Sequence, residues 1–122
     1  MIKLYKINQI NSSEKQAVLV SSSVEVADSF MQRAQGLLGR QSLMMDQIMW
    51  IKPCNNIHTF FMKFNIDCIF VDKKNVVQKV FRQVKPYRIV GPVWKAHSVY
   101  EAQEGFIDKW DLKVGDQLHV VS

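Results

Sequence analysis

A handful of side chains in this 122-residue sequence are of types that do chemistry, and they stand in apolar surroundings where such types are costly. Cys54 and His58 lie four apart, with Cys68 further on. Asp67 begins an apolar run, Glu101 interrupts another, and Arg33 is the basic residue best placed to pair with either. On a strand, Glu101 shares a face with Val99 and Gln103, with Tyr100 and Ala102 on the other side. A lone buried carboxylate is very expensive. An inward Glu101 therefore needs backbone N–H groups, Arg33, or a ligand, and a carboxyl so placed is an acid–base or ligand-binding candidate. Asp67 shares a face with Ile69 and Val71 and is expected to cap a turn at Asn65-Ile66. His58 shares a face with Phe60 and Met62 in an alternating strand, where it is either a hydrogen-bonded core residue or a group titrating near neutral pH.

These residues do not complete a known constellation. A structural zinc site draws on closely spaced Cys and His pairs. Here the two thiols are far apart, and strand alternation sends Cys68 and Asp67 to opposite faces. We therefore expect no metal and no other cofactor. A Cys54–His58 nucleophile pair would need an exposed thiol of lowered pKa, and the apolar neighbours favour an inert one. No phosphate loop, dinucleotide glycine motif or serine elbow is present.

The elements that must position these side chains are mostly strands. Residues 1–10 alternate, with Ile2, Leu4 and the stem of Lys6 on one face. Ala17–Val20 reads as a returning strand, Ser21-Ser22-Ser23 as a loop and Val24–Ala27 as a short strand. The period then changes to helical. Ser29 with Gln32 fits a capping box, Phe30, Ala34, Leu37 and Leu38 form an apolar stripe, and Gly39 fits the stop, so the main helix is expected over 29–38. Gly36 inside it would cost about 1 kcal/mol relative to alanine. Met49–Ile51 is a buried strand ended by Pro53. Residues 53–72 read as two strands joined by a short turn at Phe64-Asn65. Cys68–Val71, apolar on both faces, is the central strand. Residues 76–85 form a long strand, 87–96 a loop, 97–103 a strand, 104–110 a short helical turn and 117–121 the last strand.

Helix and strand do not alternate regularly, which argues against a doubly wound parallel sheet. The expected class is α+β, strand-dominated, a curled mixed sheet or partial β-barrel with one main helix and a short second one, in a single domain over 1–122. Hydrophobic residues make up 48% of the chain, enough for a real core. Two cysteines are too few for a disulfide framework. No secretory signal is recognisable and no apolar run approaches the ~20 residues of a membrane helix, so a cytoplasmic location is expected. The net charge of +5 permits an acidic partner. Between Lys73 and Tyr100 there are seven basic residues and no acidic one. Lys79, Arg82, Lys85 and Arg88 are the candidate basic surface, with Tyr87 and Trp94 interleaved.

Three segments together resemble a bacterial and archaeal family catalogued as domain of unknown function number 192. They are Arg33-Ala34-Gln35-Gly36-Leu37-Leu38-Gly39-Arg40, then Phe61-Met62-Lys63-Phe64-Asn65-Ile66-Asp67 with Ile69-Phe70-Val71-Asp72, then Tyr100-Glu101-Ala102-Gln103-Glu104-Gly105 with Gly115-Asp116. Phe61 stands where the family usually has tryptophan. The resemblance covers about 24–121 and implies a largely β fold with little helix. It imports no mechanism, because the family has no established activity. Many members resemble exported proteins or lipoproteins. The Pro53-Cys54-x-x-Ile57-His58-Thr59-Phe60-Phe61-Met62 version resembles a subgroup linked to pilus or secretion gene clusters.

From these residues we expect a small non-enzymatic binding or accessory domain. Its candidate ligand-binding residues are His58, Met62, Asp67, Glu101 and Arg33, and its ligand a small polar molecule or a peptide segment of a partner, for instance in envelope or pilus assembly. The alternative is a hydrolase using Glu101 or Asp67 with His58 as acid and base. A further alternative is a nucleic-acid-binding module on the basic stretch 73–95.

Overall fold

The computed structural model describes all 122 residues. Nine strands and two short helices follow one another as β1 (Ile2–Gln9), β2 (Lys15–Ala27), α1 (Phe30–Gln35), β3 (Gln47–Ile51), β4 (Ile57–His58), β5 (Ile66–Val71), β6 (Val77–Val84), β7 (Ile89–Val90), β8 (Ser98–Gln103), α2 (Phe106–Lys109) and β9 (Gln117–Val121). Seven strands form one mixed sheet in the order β6-β5-β8-β3-β2-β1-β9, and β4 pairs with β7 apart from it. The sheet curls until its edges meet at one end. There Val76 bridges Gln117, and the Val77 N–H donates to Asp116 O at 2.9 Å. It is not closed into a barrel. The strand-dominated α+β class matches the expectation.

Each face of the sheet carries its own core. Leu4, Ile69, Tyr100, Ala102, Phe106, Ile107 and Leu118 belong to one cluster, on the side of α2. Leu37, Met49, Ile51, Met62, Cys68, Phe70 and Val99 belong to the other. Strand β5 is covered on both sides and all six of its residues are buried, as its two-faced apolar run requires. Strands β2 and β3 are parallel neighbours. Parallel neighbours cannot be joined by a tight turn, so the chain must cross over one face of the sheet between them. That crossover, residues 28–46, carries α1 onto the second face.

Several expectations are corrected. The segment 53–72 is not a hairpin, since β4 pairs with β7 while β5 pairs with β6 and β8. Buried Thr59 explains this. Its N–H donates to Arg88 O at 2.8 Å, its hydroxyl donates to Lys85 O at 2.6 Å, and its Oγ1 accepts from the Arg88 N–H at 2.9 Å. The backbone demand of this loop is thus met by 85–88 rather than by 66–71. The short strand β7 falls in the expected loop 87–96. Ser21–Ser23 is not a loop, because β2 runs straight through it. Ser21 is buried and its hydroxyl donates to Asp46 O at 2.6 Å, while the Ser22 N–H donates to Asp46 Oδ1 at 2.9 Å. Helix α1 has the expected Ser29–Gln32 capping box but ends sooner. Gly36, at φ 48°, is its C-cap rather than an interior residue. No residue of α1 is buried, and Phe30 and Met31 are largely exposed. Of the expected apolar stripe, Leu37 is buried in the second core and Leu38 packs against it, while Phe30 and Ala34 line a cleft.

Candidate functional site

A cleft of about 540 Å³ opens between the crossover and the sheet. Arg33, Ala34, Gly36 and Leu37 form one wall, the stretch from Pro53 to His58 with Met62 the other, and Ile51 and Glu101 the floor. The register that places Glu101 opposite Met49 on β3 and Cys68 on β5 turns it toward this face. Glu101 is only 5% exposed. Its carboxyl accepts no hydrogen bond, and burial alone pushes it up to about 7. Gly36 lies directly over it. A Cβ at Gly36 would stand 3.7 Å from Ile51 Cδ1, 3.8 Å from Glu101 Oε1 and 3.9 Å from Arg33 O. These are ordinary van der Waals distances, so it is the positive φ that calls for a glycine here.

Four of the five candidate binding residues meet at this cleft. Met62 is buried in the wall, His58 is exposed at the rim with its ring 5.3 Å from Phe60, and Glu101 is the floor. Arg33 lines the cleft but is not the partner of Glu101. Its Nη1 donates to Asp28 O at 2.9 Å, and it makes no ion pair. Asp67 is not in the cleft. It faces the α2 side, where it accepts from the N–H groups of Gln83 at 2.9 Å, Gly105 at 3.2 Å and Ile107 at 2.9 Å. Asp67 ties β5 to α2 and to the end of β6 rather than capping a local turn. Gly36, Leu37 and Ile51 belong to the cleft without having been among the candidates. Gly36 was visible as an oddity, since a glycine in a helix interior begs a reason.

No hydrogen bond joins His58 to Glu101 or to Asp67. The Cys54 thiol donates to Asn56 O at 3.0 Å, and burial pushes it up. Cys68 is fully buried and is pushed well above the ordinary range, first by burial and then by the nearby negative charges of Glu101 and Asp67. Both thiols stay protonated, and neither is a poised nucleophile. No three Cys, His, Asp or Glu side chains cluster closely enough to hold a metal ion.

The basic stretch is exposed on β6 and the loop after it. Arg82 Nε sits 2.8 Å from Asp108 Oδ1, and Lys79 Nζ lies 5.6 Å from the Phe81 ring centre. Lys85 and Arg88 are exposed, and Arg88 reaches only the carbonyls of Pro86 and Tyr87, at 3.5 and 3.4 Å. No helix is long and apolar enough to cross a membrane.

Fold and site together define a strand-dominated α+β domain with an apolar cleft above one unpaired, buried carboxyl. The chain belongs to the family DUF192, described as an uncharacterized ACR, whose pattern it matches over residues 9–120. It is 31% identical over 115 residues to the UPF0127 protein PYRAB11210 of Pyrococcus abyssi, a match covering 90% of this chain and 96% of that protein. Two solved structures share the fold. One is the R01717 protein of Sinorhizobium meliloti 1021, named for a proposed role in transcription regulation, with a TM-score of 0.77 at 18% identity over 98% of this chain and 94% of that one. The other is a protein of unknown function from Novosphingobium aromaticivorans, with a TM-score of 0.75 at 19% identity over 96% and 83%.

Proposed function

We propose that this is a binding domain without catalytic activity, whose cleft takes a small polar molecule or a peptide segment of a partner protein and anchors it on Glu101. One observation carries this. Glu101 is almost wholly buried, lines a cleft, and has no donor within the protein to offset its desolvation. Structural carboxylates are normally saturated, as Asp67 is on the neighbouring strand. A carboxyl left open beside an accessible cleft is complementary to something that enters it. Arg33, His58 and Met62 would contact the rest of the ligand.

The two free thiols fit a reducing cytoplasm, and the pilus-linked resemblance makes a segment of an envelope or pilus assembly the first partner to try. The test is a screen of small polar molecules and short peptides by ligand-observed NMR against the wild type and Glu101→Gln. Hits are expected to bind the wild type and to weaken on the variant by about tenfold or more. Hits that ignore the variant, or that compete with nothing at the cleft, would count against it.

A further inference from the structure

We infer that the ligand carries a primary ammonium group on an apolar body, and that this ammonium sits between Glu101 Oε1 and the main-chain carbonyl of Arg33. The inference rests on the cleft being a binding site and adds the chemistry of what it binds. Two acceptors converge under the Gly36 cap, since Glu101 Oε1 and Arg33 O both lie within 4 Å of the point a Gly36 Cβ would occupy. Neither is engaged. The helix closes with the Gly36 N–H donating to Gln32 O at 2.9 Å, and the chain then turns away, so no later N–H reaches Arg33 O. The orphan carbonyl at the end of a helix adds negative potential to that of the carboxylate.

No donor of the cleft reaches either acceptor. The Arg33 guanidinium is held by Asp28 O, and the Cys54 thiol by Asn56 O. A compact group with three donors and a positive charge matches this pair of acceptors. A hydroxyl offers one donor and no charge, and an anion would be repelled. The apolar lining around them, from Leu37, Ile51, Ile57 and Met62, suits a hydrocarbon body. The same chemistry is found at the free N-terminus of a peptide and in a small amine.

Pairing with an ammonium requires the carboxylate, so a Glu101 that is partly protonated at neutrality gives up its proton to solvent as the ligand binds. The other ionisable groups at the cleft are Arg33, His58 and Cys54, with Cys68 beneath the floor. Burial holds both thiols above their ordinary range, so they stay neutral here. Affinity therefore rises with pH as Glu101 ionises and falls again once the ligand's α-amino group, ordinarily at about 7.7–8.0, loses its proton.

The experiment titrates ¹⁵N-labelled protein with L-leucinamide, with N-acetyl-L-leucinamide, with 4-methylpentanoate, and with the tripeptide Leu-Ala-Ala-amide bearing a free or an acetylated N-terminus. L-leucinamide is expected to shift the amides of Gly36 and Glu101. Binding should weaken by about tenfold or more on acetylation and in Glu101→Gln. It should tighten between about pH 5.5 and about pH 7 and weaken again above about pH 8. The spectrum of Glu101→Gln shows whether it is folded, and the probe series on the wild type stands without it. A free-ended tripeptide that binds more tightly than leucinamide identifies a peptide terminus, and equal binding a small amine. If N-acetyl-L-leucinamide or 4-methylpentanoate binds the cleft as well as L-leucinamide, the ammonium is wrong while the binding site stands. If no probe and no screened compound shifts cleft residues, the site itself is wrong.

Discussion

Asp67 and Glu101 stand on adjacent antiparallel strands, one residue out of register, and face opposite sides of the sheet. Asp67 lies opposite Ala102, and Glu101 opposite Cys68. Both carboxyls are buried, at 1% and 5% exposure. Asp67 accepts from three backbone N–H groups, whereas Glu101 accepts from none. The two carboxyls are alike in burial and differ in who donates to them.

Asp67→Ala removes an acceptor shared by β5, β6 and α2 and leaves three backbone N–H groups to find water or go without. We expect a loss of roughly 2–5 kcal/mol in chemical denaturation. Asp67→Asn keeps one carbonyl oxygen but turns an NH₂ toward donors, and should recover only part of it. A loss under about 0.5 kcal/mol would show that these bonds are not holding the α2 side together.

Glu101 should make stability fall as pH rises. Its folded value of about 7 lies above the ordinary 4.5, so between those values the folded state holds a proton that the unfolded chain has lost. The contribution is fully present below about pH 4.5 and is lost as pH climbs through about 7, by a total on the order of 3 kcal/mol. Glu101→Gln cannot ionise, so its stability should be flatter across that window and should exceed the wild type at pH 8. Urea unfolding at a series of pH values measures this. Parallel curves for the two proteins would mean that Glu101 is solvated or paired in solution.

What was legible in the sequence was what is local. The Ser29–Gln32 capping box, the last strand 117–121 and the two-faced apolar run of β5 each involve neighbours a few positions apart. What was not legible depends on partners far along the chain. Ser21–Ser23 stays in a strand because Asp46 supplies the hydrogen bonds, and Thr59 joins a loop 26 to 29 residues away. The donors to Asp67 come from 16, 38 and 40 residues further on. Alternation could show that Asp67 and Glu101 were each out of place among apolar residues. Only the strand register could show that they were on different faces.

Lys6 was legible only as a stem covering apolar surface. Its ammonium proves to close the end of α2, donating to Trp110 O at 2.9 Å and to Asp111 O at 3.0 Å, with Asp116 3.7 Å away. Lys6→Met keeps the stem and deletes the head, leaving the Trp110 and Asp111 carbonyls without their donor and Asp116, which still accepts from the Lys113 N–H, without its counter-charge. We expect a loss of about 1–3 kcal/mol in thermal or urea unfolding. An unchanged midpoint would mean that water replaces the ammonium without cost.

The basic stretch should behave as a solvated surface rather than a nucleic-acid interface. Arg82 is paired with Asp108, but both side chains are largely exposed, so Arg82→Ala should cost less than about 1 kcal/mol. Binding to a single-stranded oligonucleotide, measured by fluorescence anisotropy, should be weak and unaltered in Arg82→Ala with Arg88→Ala. Affinity that falls steeply with salt and disappears in that double variant would instead establish the nucleic-acid reading.

Gly91 offers a test of whether the far wall of the cleft is held from behind. It sits at φ 98°, and a Cβ there would come within 2.7 Å of Asn55 O and 3.1 Å of Asn56 Cα. Those atoms are backbone, and Asn55 and Asn56 line the cleft, so the clash cannot be relieved by rotating a side chain. The Val93 N–H also donates to Asn55 O at 2.8 Å, which fixes the carbonyl that the new methyl would strike. Gly91→Ala should therefore cost about 2–4 kcal/mol, through strain in the left-handed region and through displacement of the 54–57 segment. The displacement should be visible as amide shifts at Asn55, Asn56 and Ile57, and as weaker binding of any cleft ligand, with the Asp67 side of the sheet left unshifted. Shifts spread evenly over both faces would mean that the wall is coupled to the whole sheet rather than hinged on Gly91.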